Sequence, residues 1–373
     1  MEIYIWIIII IFLILTIFWA LAKIIKSIDD KKNEHDVLMF IKNNPEKASI
    51  CAIYNDTPPL LDYQADMKMP LASTMKIVIA IEFAKQADIK AIEIQELVPL
   101  KELDKYFIEN TDGGGSHMDW IDYLKENDQL NNGQVTLLQV AKGMIQFSSN
   151  ANTEFLMNKL GLDRVNHLLK SLSLYEHDPL FPISTANLIC AYLQSENGTT
   201  QKESIKTIKE MTNEEYRKKA RHINELLRND NEKKLIDRLN IKDNYNIQLQ
   251  VVSSEKQPKS TTREYANLMQ NIRNRAILTS NGHEILHGIL NITPNKDSSI
   301  IDLGLKGGST ISVLTTAFYS KDKEGNTIDM AIFIHDPSRM DLIWIEKKLD
   351  LFIGKLATDK NFKEEVIRTL KSK

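Results

Sequence analysis

Cysteine is nearly absent: Cys51 and Cys190 are the only two in 373 residues, and they lie far apart in the chain. They form neither a metal-type spacing nor a disulfide framework, so a thiol-based metal centre and a disulfide-stapled scaffold are excluded. Two buried free thiols are expected instead, with a single bridge between them in an oxidising space as the alternative. The eight histidines show no ligand spacing, so no metal site is expected and no cofactor is called for. Charge of one sign is lacking too. The net charge is −3, which leaves no basic footprint for nucleic acid. No internal repeat is visible. The glycines of Asn110-Thr111-Asp112-Gly113-Gly114-Gly115-Ser116-His117 are not preceded by a strand or followed by G-K-[ST], so they are not a phosphate loop. A flexible connection is expected there, with His117 structural.

What the chain does have at its start is a long apolar run. Ile3 to Ala22 contains no charged residue, and Thr16 is nearly its only polar one. About twenty apolar residues cross a bilayer as a helix. An uncleaved transmembrane anchor is expected, because the run is long and no Lys or Arg precedes it. Ala20-Leu21-Ala22 keeps a cleaved signal peptide open as the alternative. No lipobox-like cysteine is nearby, so a lipoprotein is not expected. Lys23, Lys26, Lys31 and Lys32 follow the run, and the positive-inside rule taken alone would keep the rest of the chain in the cytoplasm. That rule is weak for a long following domain. The expected organisation is a membrane anchor over 1–24, a polar stalk over 25–40 and one globular domain over 41–373.

Periodicity sorts that domain into β ends and an α middle. His35 to Asn43 has a helical stripe, Ser49 to Tyr54 is β-rich, and Leu60 to Ala65 suits a second strand across the turn at Pro58-Pro59. Helices are expected from Pro70 to about Ala87, Val135 to Gln146, Thr153 to Leu160, Asp163 to Leu172 and Thr185 to Gln194. Gln201 to Asp243 is strongly charged with helical spacing, which suits solvated helices of an all-α lobe. Two more helices, Thr261–Arg273 and His283–Leu290, precede three strands at Ile300–Leu305, Ser312–Tyr319 and Ile328–His335, and Asp341 to Leu356 is an amphipathic helix. The simplest closure is an α+β fold. One antiparallel sheet is built from both ends and flanked by terminal helices, with the all-α lobe inserted between.

Within this frame Ser73-Thr74-Met75-Lys76 opens a buried helix. Residues three apart share a helix face, so the Ser73 hydroxyl and the Lys76 amine can meet. A hydroxyl becomes a nucleophile when a base takes its proton, and a buried lysine with a depressed pKa can be that base. Free N–H groups at a helix start are suited to an oxyanion. Alone, S-x-x-K recurs widely by chance. Two partners follow in order: Ser148-x-Asn150 at a helix junction, and Lys306-Gly307-Gly308-Ser309 between two late strands.

S-x-x-K, S-x-N and K-[T/G]-G in that order resemble the active-site serine penicillin-recognising enzymes, the superfamily of class A β-lactamases and penicillin-binding proteins. The resemblance covers roughly residues 45 to 357. It implies a β-lactamase/transpeptidase-like fold and an acyl-enzyme on Ser73, with Lys76 as base or relay and Ser148 passing the proton to the leaving nitrogen. It implies that Asn150 and Lys306 bind the substrate's amide and carboxylate. Gly307 and Gly308 admit a ligand close to the strand, and the amides of Ser73 and Ser309 form the oxyanion hole. Two departures stand out. The middle residue of the third motif is Gly307, where the superfamily usually has Thr or Ser. The Glu-x-x-Leu-Asn loop that activates deacylating water is represented only by Glu176, in Tyr175-Glu176-His177-Asp178-Pro179-Leu180, without the Leu-Asn. The implied activity is serine hydrolysis of β-lactams or peptidoglycan-like amides. D,D-peptidase and non-hydrolytic β-lactam receptor are the alternatives. Such substrates lie outside the cytoplasmic membrane, so the catalytic domain is expected to be extracytoplasmic, held by a single-pass anchor.

Overall fold

The computed structural model describes residues 29–109, 111–112, 114–230, 234–239, 246–295 and 297–371, with Lys23, Ser27 and Ile241. The apolar run Ile3–Ala22 therefore lies outside the described residues. Among the described residues no helix is long and apolar enough to cross a membrane.

Two compact units are present. The smaller combines the chain up to Pro45 with Ser338 onward. In it the helix Glu34–Asn43 buries Val37, Leu38, Phe40 and Ile41 and meets the C-terminal helix Leu342–Thr358. Asn33 caps the first of these helices with a reciprocal capping box. The polar stalk expected over 25–40 thus gives way at Glu34 to a packed helix, because the apolar stripe of that segment has a partner. A last helix, Lys360–Lys371, also belongs to this unit and was not foreseen.

Among its described residues the larger unit, Glu46–Pro337, holds nine strands: β1 (Ala48–Tyr54), β2 (Leu61–Tyr63), β3 (Met69–Pro70), β4 (Leu97–Pro99), β5 (Gln134–Thr136), β6 (Lys259–Ser260), β7 (Ile300–Ser309), β8 (Val313–Asp322) and β9 (Thr327–His335). Five form one antiparallel sheet in the order β2-β1-β9-β8-β7, so both ends of the sequence meet at β1–β9. β1 is buried along its whole length, which explains its near-continuous apolar text rather than an alternating one. Cys51 lies in β1, and both cysteines are free and buried.

The helices that matter for the site are α1 (Lys76–Asp88), α2 (Ser116–Glu126), α3 (Leu137–Gln146), α4 (Asn150–Leu160), α5 (Ile183–Ala186), α6 (Asn213–Asn229), α7 (Thr262–Arg273) and α8 (Ser280–Leu290). α1 is the hub. Ile77 through Ile81, with Phe83 and Ala84, are fully buried in one cluster with residues of α3, α4, α7 and α8. A helix apolar all round is one surrounded by other elements. On the sheet, the Arg273 guanidinium donates to both oxygens of Asp329 at 2.8 Å, tying α7 to β9. The charged stretch after Leu188 has its own apolar cluster, including Ile205, Ile208, Tyr216, Ile223, Leu227 and Val252.

Three boundaries differ from expectation for identifiable reasons. Val135 and Thr136 are β-branched and pair with β4, so α3 begins only at Leu137, capped by Thr136. The helix expected over Thr185–Gln194 is two pieces, α5 and Ile189–Asn197. Ser73 itself sits in a 3-10 turn, Ala72–Met75, and the α-helix proper starts at Lys76.

Candidate active site

The turn carrying Ser73 is held from three sides. Its first residue, Ala72, adopts φ +45°, a left-handed conformation costly for a residue with a Cβ. Upstream, β3 pairs with β6, and Leu71 N donates to Pro258 O at 3.0 Å. On the other side Thr74 Oγ1 lies 2.7 Å from Thr315 Oγ1 of β8, which donates to Leu71 O at 2.8 Å. The third contact is with β7. A Cβ on Gly308 would lie 2.5 Å from Ser73 N and 2.9 Å from Thr74 N, so the strand backbone touches the turn where only glycine fits. Gly307 is different: nothing lies closer than 3.8 Å to a Cβ there.

Lys76 and Lys306 converge on Ser148. Lys76 Nζ lies 3.2 Å from Ser148 Oγ and donates to Ser148 O at 2.7 Å and to Asn150 Oδ1 at 2.8 Å. Lys306 Nζ lies 3.2 Å from the same Ser148 Oγ and donates to Gly307 O at 2.8 Å. One hydroxyl is thus shared by two amines. Both lysines are almost wholly buried, at 1 % and 5 % exposure. Burial drives the Lys76 pKa well below the ordinary lysine value, and the nearby Lys306 charge lowers it further while Asp112 opposes. Burial brings Lys306 down to about 8. Burial thus favours the neutral form of Lys76, while Lys306, at about 8, keeps its charge at neutral pH. Ser148 is itself strained at φ +63°, as residues pinned at reactive sites often are.

Asn150 opens α4, whose N-cap is Ser149. Ser149 Oγ accepts from Asn152 N at 3.2 Å and lies 2.8 Å from His117 Nδ1. His117 in turn starts α2, where Asp112 accepts from Gly115 N at 3.2 Å and His117 N at 2.8 Å. Asn150 Nδ2 donates to Thr111 O at 3.4 Å. The glycine-bearing segment expected to be a flexible connection is, in its described part, a wall of the site fastened to the S-x-N motif. From the sequence His117 is expected to be structural, and Asp112 carries no expectation. Their signal was weak: an Asp positioned to cap a helix start, followed by a histidine.

The structure thus brings Ser73, Lys76, Ser148, Asn150, Lys306, Gly307 and Gly308 into one place. Ser309 stands exposed at the end of β7. Glu176 does not join them, a correction to the role expected for it. Its side chain is 62 % exposed and lies 3.9 Å from Lys68, and its backbone N donates to Glu264 at 2.6 Å. The loop around it is anchored elsewhere: Asp178 takes Lys68 at 3.1 Å and Lys259 N at 3.1 Å, and buried His177 holds Tyr265 Oη at 3.0 Å. These bonds commit the loop to β6 and α7 and leave Glu176 in solvent. Among the described residues no carboxylate is hydrogen-bonded to Ser73, Lys76, Ser148 or Lys306.

Residues 32–249 match the model of the Beta-lactamase2 family, described as the beta-lactamase enzyme family. That span includes the first two motifs and stops short of Lys306. No curated protein sequence is significantly similar to the chain. Among solved structures, the TLA-3 extended-spectrum β-lactamase is 14 % identical, with 90 % of this chain and 97 % of that chain covered and a TM-score of 0.51. A representative of class A β-lactamase from Bacteroides cellulosilyticus is 13 % identical, covering 92 % and 100 %, with a TM-score of 0.50. A β-lactamase from Chitinophaga pinensis is 11 % identical over 85 % and 100 %, also at 0.50. At such identities the likeness is one of fold, and it is the β-lactamase/transpeptidase-like α+β fold.

Proposed function

Because the chain belongs to the beta-lactamase enzyme family, whose members are serine hydrolases, we propose that Ser73 forms an acyl-enzyme with β-lactams or related peptidoglycan-like amides. The observation that carries this is Ser148 Oγ at 3.2 Å from both Lys76 and Lys306, beside the Ser73 turn. Neutral Lys76 takes the Ser73 proton as Oγ attacks the carbonyl carbon. The Ser73 amide and that of Ser309 receive the developing oxyanion. As the C–N bond breaks, Ser148 hands the nitrogen a proton that Lys76 replaces. Lys306, still charged at neutral pH, binds the substrate carboxylate, and Asn150 orients its amide.

The exposed position of Glu176 favours a second reading for the step that follows. With no carboxylate bonded into the site, water activation is poor and the acyl-enzyme persists. The chain then acts as a slow D,D-peptidase or as a receptor that stays acylated, rather than as an efficient β-lactamase. We further propose that the apolar run Ile3–Ala22 anchors the chain in the cytoplasmic membrane with the catalytic domain outside, because such substrates lie there. Protease digestion of intact cells that spared residues 40–373 would sink that orientation.

The test of the reaction is labelling with a fluorescent penicillin, followed by decay of the label. Wild type is expected to label and Ser73→Ala not to. Persistence for hours supports the slow readings, rapid loss supports a β-lactamase, and no labelling by any β-lactam or acyl-ester probe defeats the proposal.

A further inference from the structure

A cavity of about 500 Å³ opens beside Lys306 and Gly307, between the end of α3, the end of α8 and the start of the third motif. Its walls include Ile145, Leu290, Ile292 and Leu305. Lys306 is the one charged residue in a lining with four aliphatic ones, which suits a group that is anionic at one edge and apolar beyond it. The absent side chain at Gly307 belongs to the same space, since a Cβ there meets nothing closer than 3.8 Å. The wall by α8 is already set. Asn291 donates to Asp302 Oδ1 at 2.9 Å and its backbone N donates to His287 O at 2.8 Å. Ile292 N donates to Leu303 O at 2.8 Å, leaving the Ile292 side chain at the cavity, 41 % exposed.

We infer that this cavity is a specificity subsite for a bulky apolar substituent next to the substrate's carboxylate, so that substrates bearing a ring-sized group there are acylated in preference to compact ones. The inference rests on the acylation proposed above and on Lys306 holding the carboxylate. With that anion at Lys306 Nζ, whatever is bonded beside the carboxylate-bearing carbon faces Gly307, Leu305 and Ile292. A substituent of aromatic size removes from water an area that a methyl group does not, which corresponds to about tenfold or more in acylation rate.

Two cephems with the same acyl side chain test this: nitrocefin, which carries a dinitrostyryl group beside the carboxylate-bearing carbon, and its counterpart with methyl there. The second-order acylation rate constant is measured for both, in wild type and in Ile292→Trp, which fills the cavity from its exposed wall. Intrinsic reactivity differs between the cephems but cancels in the ratio of ratios. The nitrocefin-to-methyl ratio is expected to fall about tenfold in Ile292→Trp, with the methyl cephem within twofold of wild type. Thr293→Trp, on the same wall, is the second variant and is expected to act in the same direction. An unchanged ratio in both variants, or an equal loss for both cephems, overturns the subsite while leaving acylation standing. Failure of wild type to be acylated by either cephem or by penicillin overturns the acylation reading and the subsite with it.

Discussion

Replacing Glu154 by Gln is expected to expose a pH dependence that two buried groups mask in the wild type. Glu154 lies on α4 one turn beyond Asn150 and is 1 % exposed. Its carboxyl accepts from Thr185 N at 2.7 Å, from the Thr185 hydroxyl, and from Asn224 Nδ2 at 3.0 Å, joining α4 to α5 and α6. Burial pushes its pKa up to about 7 from 4.5 against those donors. A carboxyl raised in the fold is protonated in both states below 4.5, and as pH climbs towards 7 only the unfolded chain ionises freely. Its contribution is therefore full at low pH and is lost between about 4.5 and 7, amounting to roughly 3 kcal/mol. His177 runs the other way. Burial, opposed by its bond to Asp178 O, lowers it from 6.5 to about 4. Its stabilisation is full above 6.5 and is lost as pH falls towards 4, again by roughly 3 kcal/mol. The two slopes offset one another across that window. Denaturant unfolding of wild type and Glu154→Gln from pH 4 to 8 isolates the first, because every group common to both proteins cancels. The variant is expected to gain about 3 kcal/mol on wild type between pH 4.5 and 7, and to lose stability on acidification through His177. A flat difference, or wild type gaining with rising pH, would refute the reasoning. It would mean that the three donors hold Glu154 ionised despite its burial.

Three further outcomes follow from the same geometry. Gly308→Ala is expected to cost about 1–3 kcal/mol by denaturant unfolding, since its Cβ meets the Ser73 and Thr74 amides, whereas Gly307→Ala stays within about 0.5 kcal/mol; equal effects would contradict the close approach of β7 to the turn. Glu176→Gln is expected to leave both the rate of fluorescent-penicillin labelling and the decay of the label within about twofold of wild type, because a solvated side chain away from the lysines has no water to activate; a large slowing of decay would return Glu176 to the site. Labelling by carboxylate-bearing penicillins is expected to fall as pH rises through about 8, where Lys306 loses its charge, while an uncharged acyl-ester probe is affected less; parallel profiles would remove Lys306 as the carboxylate's partner.

How much of this was readable beforehand depends on the range of each interaction. The strands at both ends of the domain were legible because a buried strand carries its signal within a handful of residues, and their union at β1–β9 followed from having nowhere else to pair. Ser73 and Lys76 stood out only together with the motifs that follow them, since S-x-x-K alone recurs by chance. The S-x-N and Lys306 motifs were legible by order. That Lys306 and Lys76 share one hydroxyl was not, because it joins residues 158 apart and depends on the register of β7 against β8. Local chemistry misled at two places. Glycines near residue 114 suggested a loose connection, yet Asp112 accepts from the His117 amide in the first turn of α2 and the His117 ring reaches Ser149, 32 residues on. Glu176 stood in the expected loop, yet His177, one residue later, is the side chain the core claims through Tyr265. The bend at Tyr175–Glu176 stays at the surface, with both side chains exposed, while the next residue, His177, is buried. The same choice that stabilises the loop thus withholds a carboxylate from the lysines. That is the physical ground for expecting acylation to outrun deacylation in this chain.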